Sequence, residues 1–250
     1  MKLQNMTAIV TGGSRGIGKA IALGLARAGA DVVIASRTLP DLQKVADEIE
    51  ALGGRAIPIK VDVTKSREVN SMVQDVLSEF KKIDILVNNA GGSARERCSL
   101  FYESTEDVWD YVINLNLKGV FICTRAVIEH MIQMQSGKII NISSTRGLLG
   151  QAGRADYSAT KGGVISFTRA LAKEVVSYGI NVNSVSPGAT ATEAMQWVRD
   201  SDRIGQLTGF NRPAKPEEIA SMVVFLCTDG AAFITGQDFP VCGLENLGTS

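Results

Sequence analysis

Short β-favouring apolar runs alternate along this chain with longer segments whose apolar positions recur at helical spacing. The pattern predicts strands over residues 6–10, 31–35, 56–61, 83–87, 138–142, 181–185 and 237–241. Between them it predicts helices over 19–28, 39–52, 66–80, about 105–135, about 157–177 and 217–227. The run Ile83-Asp84-Ile85-Leu86-Val87 reads as a buried strand. Strands alternating with helices imply an α/β fold, a doubly wound parallel sheet of about seven strands with helices on both faces. A length of 250 residues suits one such domain over 1–250. The polar segment from about 190 to 213 is placed to serve as a substrate lid.

In an open parallel sheet, ligands bind outside the carboxyl ends of the strands. The residues that leave those ends here are Gly12 to Gly18, Ser36-Arg37, Asp62-Val63, Asn88 to Gly91, Ser143-Ser144 and Pro187-Gly188, nearly all small, polar or glycine. The first group joins a strand to a helix. Gly12, Gly16 and Gly18 there can adopt positive φ and bring backbone N–H groups to an anion at the helix N-terminus, so a pyrophosphate is the expected guest. The same residues also spell Gly12-x-Ser14-x-Gly16, the nucleophile elbow of serine hydrolases. That alternative needs a histidine base, and His130, the only histidine, falls inside an apolar helix.

Composition removes several classes of function. Lys+Arg and Asp+Glu both number 26, so no net field draws the chain to nucleic acid or to an acidic membrane. Cys98, Cys123, Cys227 and Cys242 are scattered without a Cys-x-x-Cys pair, which argues against a zinc site and for buried free thiols in a reducing compartment. No run approaches 18 apolar residues and the first residues lack a signal-peptide core, so a cytoplasmic protein is expected.

The richest stretch runs from Asn141 to Lys161. Ser143 and Ser144 end an apolar run, a glycine-rich loop follows, and Tyr157 and Lys161 stand four residues apart, one turn apart on one helix face. A tyrosine titrates near pH ~10. A cation at ~4 Å contributes on the order of 4 kcal/mol at an effective dielectric near 20, roughly three pKa units. Lys161 is therefore expected to bring Tyr157 into the range of a general acid and base. Only one of the two adjacent serines leaving a strand can face the tyrosine.

Thr11-Gly-x-x-x-Gly16-x-Gly18, Asp62, Asn88-Asn-Ala-Gly91, Asn116, Ser144 thirteen residues before Tyr157, Tyr157-x-x-x-Lys161 and Pro187-Gly188 followed by Thr192 form an ordered set. Over almost its whole length the chain resembles the short-chain dehydrogenase/reductase family, in particular its NADP-dependent 3-oxoacyl-reductase-like members. The resemblance implies a Rossmann-type fold and a nicotinamide-dependent oxidoreductase of an alcohol or ketone. Tyr157 would be the general acid/base, Ser144 would hydrogen-bond the substrate oxygen, and Lys161 would lower the tyrosine pKa and hold the nicotinamide ribose. Asn116 resembles the residue that holds a water relaying protons to Lys161, although an asparagine in a helix can also simply satisfy a neighbouring backbone group. Cofactor contacts are implied at Gly12, Ser14, Arg15, Gly16, Ile17 and Gly18; at Ser36 and Arg37; and at Asp62 and Val63 beside the adenine. Asn89, Ala90 and Gly91 would lie along the adenosine, and Pro187, Gly188, Thr190 and Thr192 at the nicotinamide end, with Tyr157 and Lys161.

An NAD site carries an acid about 20 residues after the glycine turn. Here that place reads Ser36-Arg37, with no acid before Asp41, and Arg15 adds a second cation, so NADP is favoured over NAD. The substrate pocket is expected among residues 92–97, 145–154 and 190–212. Leu148, Leu149, Met195 and Trp197 there mix with Arg95, Arg97, Arg146 and Arg154, which suits an anionic or acyl-type ketone. The chain end, Pro240-Val-Cys-Gly-Leu-Glu-Asn-Leu-Gly248, departs from the family's habit of a glycine pair after an acid. Apolar and small residues on several faces of the helices over 105–135 and 157–177 suit a homo-oligomer, dimer or tetramer. A nucleotide-binding sensor or scaffold is the non-enzyme alternative.

Overall fold

The computed structural model describes residues 3–94, 97–193 and 208–245. Seven strands run in the order 3-2-1-4-5-6-7, all parallel: β1 (Thr7–Thr11), β2 (Asp31–Ser36), β3 (Ala56–Lys60), β4 (Ile85–Asn88), β5 (Gly137–Ile142), β6 (Ile180–Pro187) and β7 (Asp238–Val241). The order reverses between β1 and β4, which opens a crevice at their carboxyl ends.

Strand periodicity divides the core between two faces. Val10, Val32, Ile34, Val87 and Ile140 pack with α1 (Gly16–Arg27), α2 (Leu39–Ala51) and α8 (Pro216–Leu226). Their neighbours Ile9, Val33, Leu86 and Ile139 point the other way, onto α3 (Ser66–Phe80), α5 (Gly119–Met134) and α7 (Ala155–Val175). Both faces are covered, so the strands lack a polar side. The exception is β6, whose Asn181, Asn183, Ser184 and Ser186 are nonetheless buried. Asp238 of β7 accepts from the hydroxyls of Ser184 and Ser186, at 2.6 and 2.8 Å, and the two asparagines donate to the carbonyls of Ala232 and Ile234. These partners carry the strand past its expected end at 185 to Pro187.

The long helix expected over 105–135 is α4 (Glu106–Ile113), a π turn (Asn114–Lys118) and α5 in one continuous rod. Its 29 residues are long and apolar enough to cross a membrane. Cys123, Val127 and Met131 are instead packed in the core. The loop expected after Ser144 contains a short helix, α6 (Thr145–Leu149). Cys123, Cys227 and Cys242 are buried free thiols, while Cys98 is half-exposed. Burial pushes the Cys123 and Cys227 thiols up to about 12, so they act as apolar side chains.

Candidate active site

The turn from Gly12 to Gly18 closes β1 onto α1. Gly12 has φ +65°, and at Gly18 a Cβ would lie 2.1 Å from the Gly12 carbonyl oxygen and 2.4 Å from Asn89 Nδ2. Asn89 braces this turn: its Nδ2 donates to the carbonyls of Thr11 and Gly12 at 3.0 and 3.1 Å, while Thr11 Oγ1 accepts from the amides of Asn89 and Ala90. The Asn89 side chain, expected at a nucleotide, is thus occupied in shaping the cradle. Overpacking a tight site costs about 1–3 kcal/mol. Gly18→Ala is expected to lower unfolding free energy by that amount, as read by denaturant titration; unchanged stability would mean the turn accommodates a methyl.

From this turn an open cleft of about 410 Å³ runs along the carboxyl edge of the sheet. Gly12, Ser14, Arg15, Gly16, Ile17, Gly18, Ser36, Arg37, Asp62, Val63, Asn89, Ala90, Gly91, Ser144, Tyr157, Lys161, Pro187, Gly188, Thr190 and Thr192 all line it. Residues scattered over 180 positions of sequence therefore share one wall system, as the strand-end argument required. Asn116 is not part of this wall; Leu115 is. At the β2 end Arg15 and Arg37 are exposed, and Asp41 turns to Lys44 at 3.7 Å. Burial tends to raise the Asp62 pKa. Hydrogen bonds from the Thr64 amide and hydroxyl, at 3.0 and 2.8 Å, together with Arg37 and Lys65, outweigh it and hold the carboxyl below its ordinary value.

At the far end stand Ser144, Tyr157 and Lys161. Ser144 caps α6, accepting from the Arg146 amide at 3.2 Å, and its hydroxyl stands beside the Tyr157 phenol, where it works against the rise of the tyrosine pKa. Ser143 faces away and donates to the Lys161 carbonyl at 2.7 Å. Lys161 is 4% exposed; its Nζ donates to the Ile142 carbonyl at 2.8 Å and lies 5.8 Å from the centre of the Tyr157 ring. Burial lowers its pKa to about 8. The expectation that Lys161 makes the tyrosine acidic is corrected here. Burial raises the Tyr157 pKa above its usual 10, and the opposing influences are Ser144 and the guanidiniums of Arg154 and Arg146. The ammonium is engaged by the Ile142 carbonyl, with the tyrosine ring centre 5.8 Å away.

Asn116 sits in the π turn, fully buried. Its Nδ2 donates to the carbonyls of Gly92 and Val112 at 2.8 and 2.9 Å, and its Oδ1 accepts from the Gly92 amide at 2.9 Å. The backbone-satisfying role that the sequence left open is the one its side chain fills. It is also close to the reactive cluster: a Cβ at Gly91 would lie 2.7 Å from Asn116 Oδ1 and 3.2 Å from Lys161 Nζ.

Two supports of the site escaped sequence reasoning. Gly147 lets α6 lie directly on α7, since a Cβ there would be 2.6 Å from the Lys161 carbonyl carbon; this contact sets Ser144 against Tyr157. Beneath them runs a buried polar chain: Asn88 Nδ2 donates to Thr124 Oγ1 and Asn141 Oδ1, and Asn141 Nδ2 donates to Thr168 Oγ1, at 2.9–3.0 Å. It ties β4, β5, α5 and α7 together. The available signal was a polar residue, Asn141, inside an otherwise apolar strand.

Other expectations fare unevenly. His130 accepts from the Ile83 amide through Nε2 at 3.2 Å, just before the amino end of β4, so it is at the opposite sheet edge from Ser14 and the hydrolase reading fails. Arg97 pairs with Asp107 at 3.2 Å and Arg146 with Glu245 at 2.7 Å, so neither stands free for an anionic substrate as expected. Arg95, Met195 and Trp197 lie outside the described residues, as does 194–207 of the expected lid. The two feet of that segment are held together: the Ala191 amide donates to the Ala214 carbonyl and the Ala214 amide to the Ala189 carbonyl, both at 2.8 Å.

Comparison with known proteins agrees with this geometry. A family model described as short chain dehydrogenase matches residues 6–203. A 3-oxoacyl-[acyl-carrier-protein] reductase of Synechocystis sp. is 45% identical over 245 residues, covering 96% of this chain and 97% of that protein. The (2S)-[(R)-hydroxy(phenyl)methyl]succinyl-CoA dehydrogenase subunit BbsD of Thauera aromatica is 40% identical over 251 residues, 99% of each chain. The crystal structure of a short-chain type dehydrogenase/reductase from Mycobacterium marinum superposes with a TM-score of 0.92 at 33% identity, covering 98% of this chain and 96% of that one.

Proposed function

This chain belongs to the short-chain dehydrogenase family and is a nicotinamide-dependent oxidoreductase acting on alcohol or keto groups, and on that premise we propose that it reduces a ketone on a carrier-bound acyl group with NADPH. The observation that carries the reading is that Ser144, Tyr157 and Lys161 meet at one end of a single cleft whose other end is the glycine cradle.

The cradle fits a dinucleotide: Gly12, Gly16 and Gly18 leave the α1 N-terminus open to a pyrophosphate. When bound, the nicotinamide supplies the hydride. The chain's own work is orientation and proton handling. Ser144 Oγ would hydrogen-bond the carbonyl oxygen and stabilise the charge that builds there. Tyr157, whose raised pKa keeps it protonated near neutrality, would donate the proton to that oxygen. Lys161, still cationic below about pH 8, would hold the nicotinamide ribose. Asn116 fixes the Gly92 backbone near that lysine.

Arg15 and Arg37 at the open β2 end of the cleft support NADPH, because each can bond a 2′-phosphate while Asp41 is held by Lys44. A hydrogen bond to a charged group is worth about 1.5–3 kcal/mol. Arg37→Ala is therefore expected to weaken NADPH binding roughly tenfold to a hundredfold and NADH binding hardly at all, as followed by nucleotide fluorescence. Equal losses for both nucleotides would remove Arg37 from cofactor selection.

The acyl carrier is supported by the names of two relatives, which place the reacting group on acyl-carrier-protein in one case and on CoA in the other. Assembly of copies through α5 and α7, where Phe121 is 40% exposed and packs against Phe167 with ring centres 4.6 Å apart, belongs to the same reading. The deciding experiment is NADPH oxidation, followed by absorbance, across 3-oxoacyl thioesters of CoA and acyl-carrier-protein and simple ketones as controls. Turnover confined to the simple ketones would overturn the carrier-bound substrate.

A further inference from the structure

Arg146 and Glu245 join the reactive end of the cleft to the segment after β7. The Glu245 side chain is 5% exposed, with Oε1 2.7 Å from Arg146 Nη2. Its other oxygen, Oε2, accepts from the Ala189 amide at 3.1 Å. No N–H is aimed at Oε1, so the contact with arginine is one of charge, while the amide supplies the anchor. Gly188 permits this approach, since a Cβ there would lie 2.3 Å from Oε2. The arginine is three-quarters buried, and its own amide donates to Ser144 Oγ.

We propose that Glu245 is a positioning residue for the proton donor: anchored on Ala189, it holds the Arg146 guanidinium where that charge acts on Tyr157. The inference rests on the reading of Tyr157 as proton donor. Among the described residues, the charged groups near Tyr157 are Lys161 and Arg154 from α7 and its cap and Arg146 from α6, with the Ser144 hydroxyl beside the phenol and Asp156 accepting from the Tyr157 backbone amide. Of these, Arg154 and then Arg146 work against the rise caused by burial, and Arg146 is tied to the tyrosine's neighbour through its amide on Ser144 Oγ. A guanidinium deprived of its buried carboxylate moves its head to water, because an unpaired buried charge is costly and the side chain is long. Glu245→Gln keeps an acceptor for the Ala189 amide and removes only the charge.

The test is the titration of Tyr157 in cofactor-free enzyme, read as phenolate ultraviolet absorbance after subtracting Tyr157→Phe, with the fold checked by circular dichroism at each pH. Arg146→Met and Glu245→Gln should each raise the midpoint by about half a pH unit or more. The double variant should titrate no higher than Arg146→Met alone. In turnover, kcat should fall in both single variants, with substrate KM and NADPH affinity little changed. An unmoved or lowered midpoint in Glu245→Gln, or a rise that persists without Arg146, overturns the proposal. Absence of turnover with every thioester and ketone would instead refute the functional reading, while the titration would still report on the pair.

Discussion

Tyr157→Phe is expected to lower kcat for carbonyl reduction by roughly a thousandfold, within the ~10²–10⁴ range of a lost general acid. NADPH affinity should stay within about threefold, because the ring that Lys161 Nζ approaches at 5.8 Å remains and only the hydroxyl beside Ser144 is removed. The size of the effect follows from position: Tyr157 lines the cleft beside Ser144, and a phenylalanine there leaves no hydroxyl to give a proton to the substrate oxygen. Stopped-flow measurement of NADPH oxidation, with binding followed separately by fluorescence, separates the two quantities. A rate within tenfold of the parent would place the proton donor elsewhere.

Lys161→Met should abolish turnover and yet make the folded chain more stable at neutral pH. The folded-state pKa of about 8 lies below the ordinary 10.5, so the unfolded chain binds more protons between those values and stability rises with pH across that window. Below about pH 8 the full cost of burying the ammonium is present, on the order of 3 kcal/mol. Methionine fills a similar volume without the charge, and it gives up one hydrogen bond to Ile142, worth about 1 kcal/mol. The net gain expected at pH 7 is about 2 kcal/mol, shrinking to nothing or reversing above pH ~10.5. Urea unfolding at the two pH values reads it directly. A variant no more stable than the parent at pH 7 would show that the lysine is held without strain. The same titration places the falling limb of reduction activity near pH 8.

A stabilising loss-of-function change of this kind marks where the fold gives up stability for chemistry. Lys161 is kept where its charge is disfavoured, with a carbonyl on one side and an aromatic ring on the other. Glu245 shows the opposite arrangement, a buried carboxylate whose charge and amide partners are both supplied by distant parts of the chain.

Much of the frame was legible from residue order. The seven strands fall where the apolar runs predict them, each within two residues at either end, because alternation and helical spacing are local properties. The glycine turn was legible for the same reason: a positive φ at Gly12 and a crowded Gly18 are demands of a short segment. Where prediction stopped short, a distant partner was responsible. Asn181 and Ser184 are polar residues within a predicted strand, and they are buried because residues 232–238 come to meet them. α6 was read as loop because five residues carry no periodicity, and its place depends on Gly147 meeting the backbone of α7.

The sequence by itself therefore determined the sheet, the cradle and the pairing of Tyr157 with Lys161 on one helix face, since each depends on spacings of a few residues. Only the tertiary structure decided what surrounds that pair. Lys161 turned out to touch Ile142 and the ring, the charges favouring the phenolate are Arg154 and Arg146, and Arg146 is held from 99 positions away by Glu245. The physical reason is that a pKa is set by burial and by charges within a few ångströms, and those neighbours are brought together by sheet order rather than by chain order.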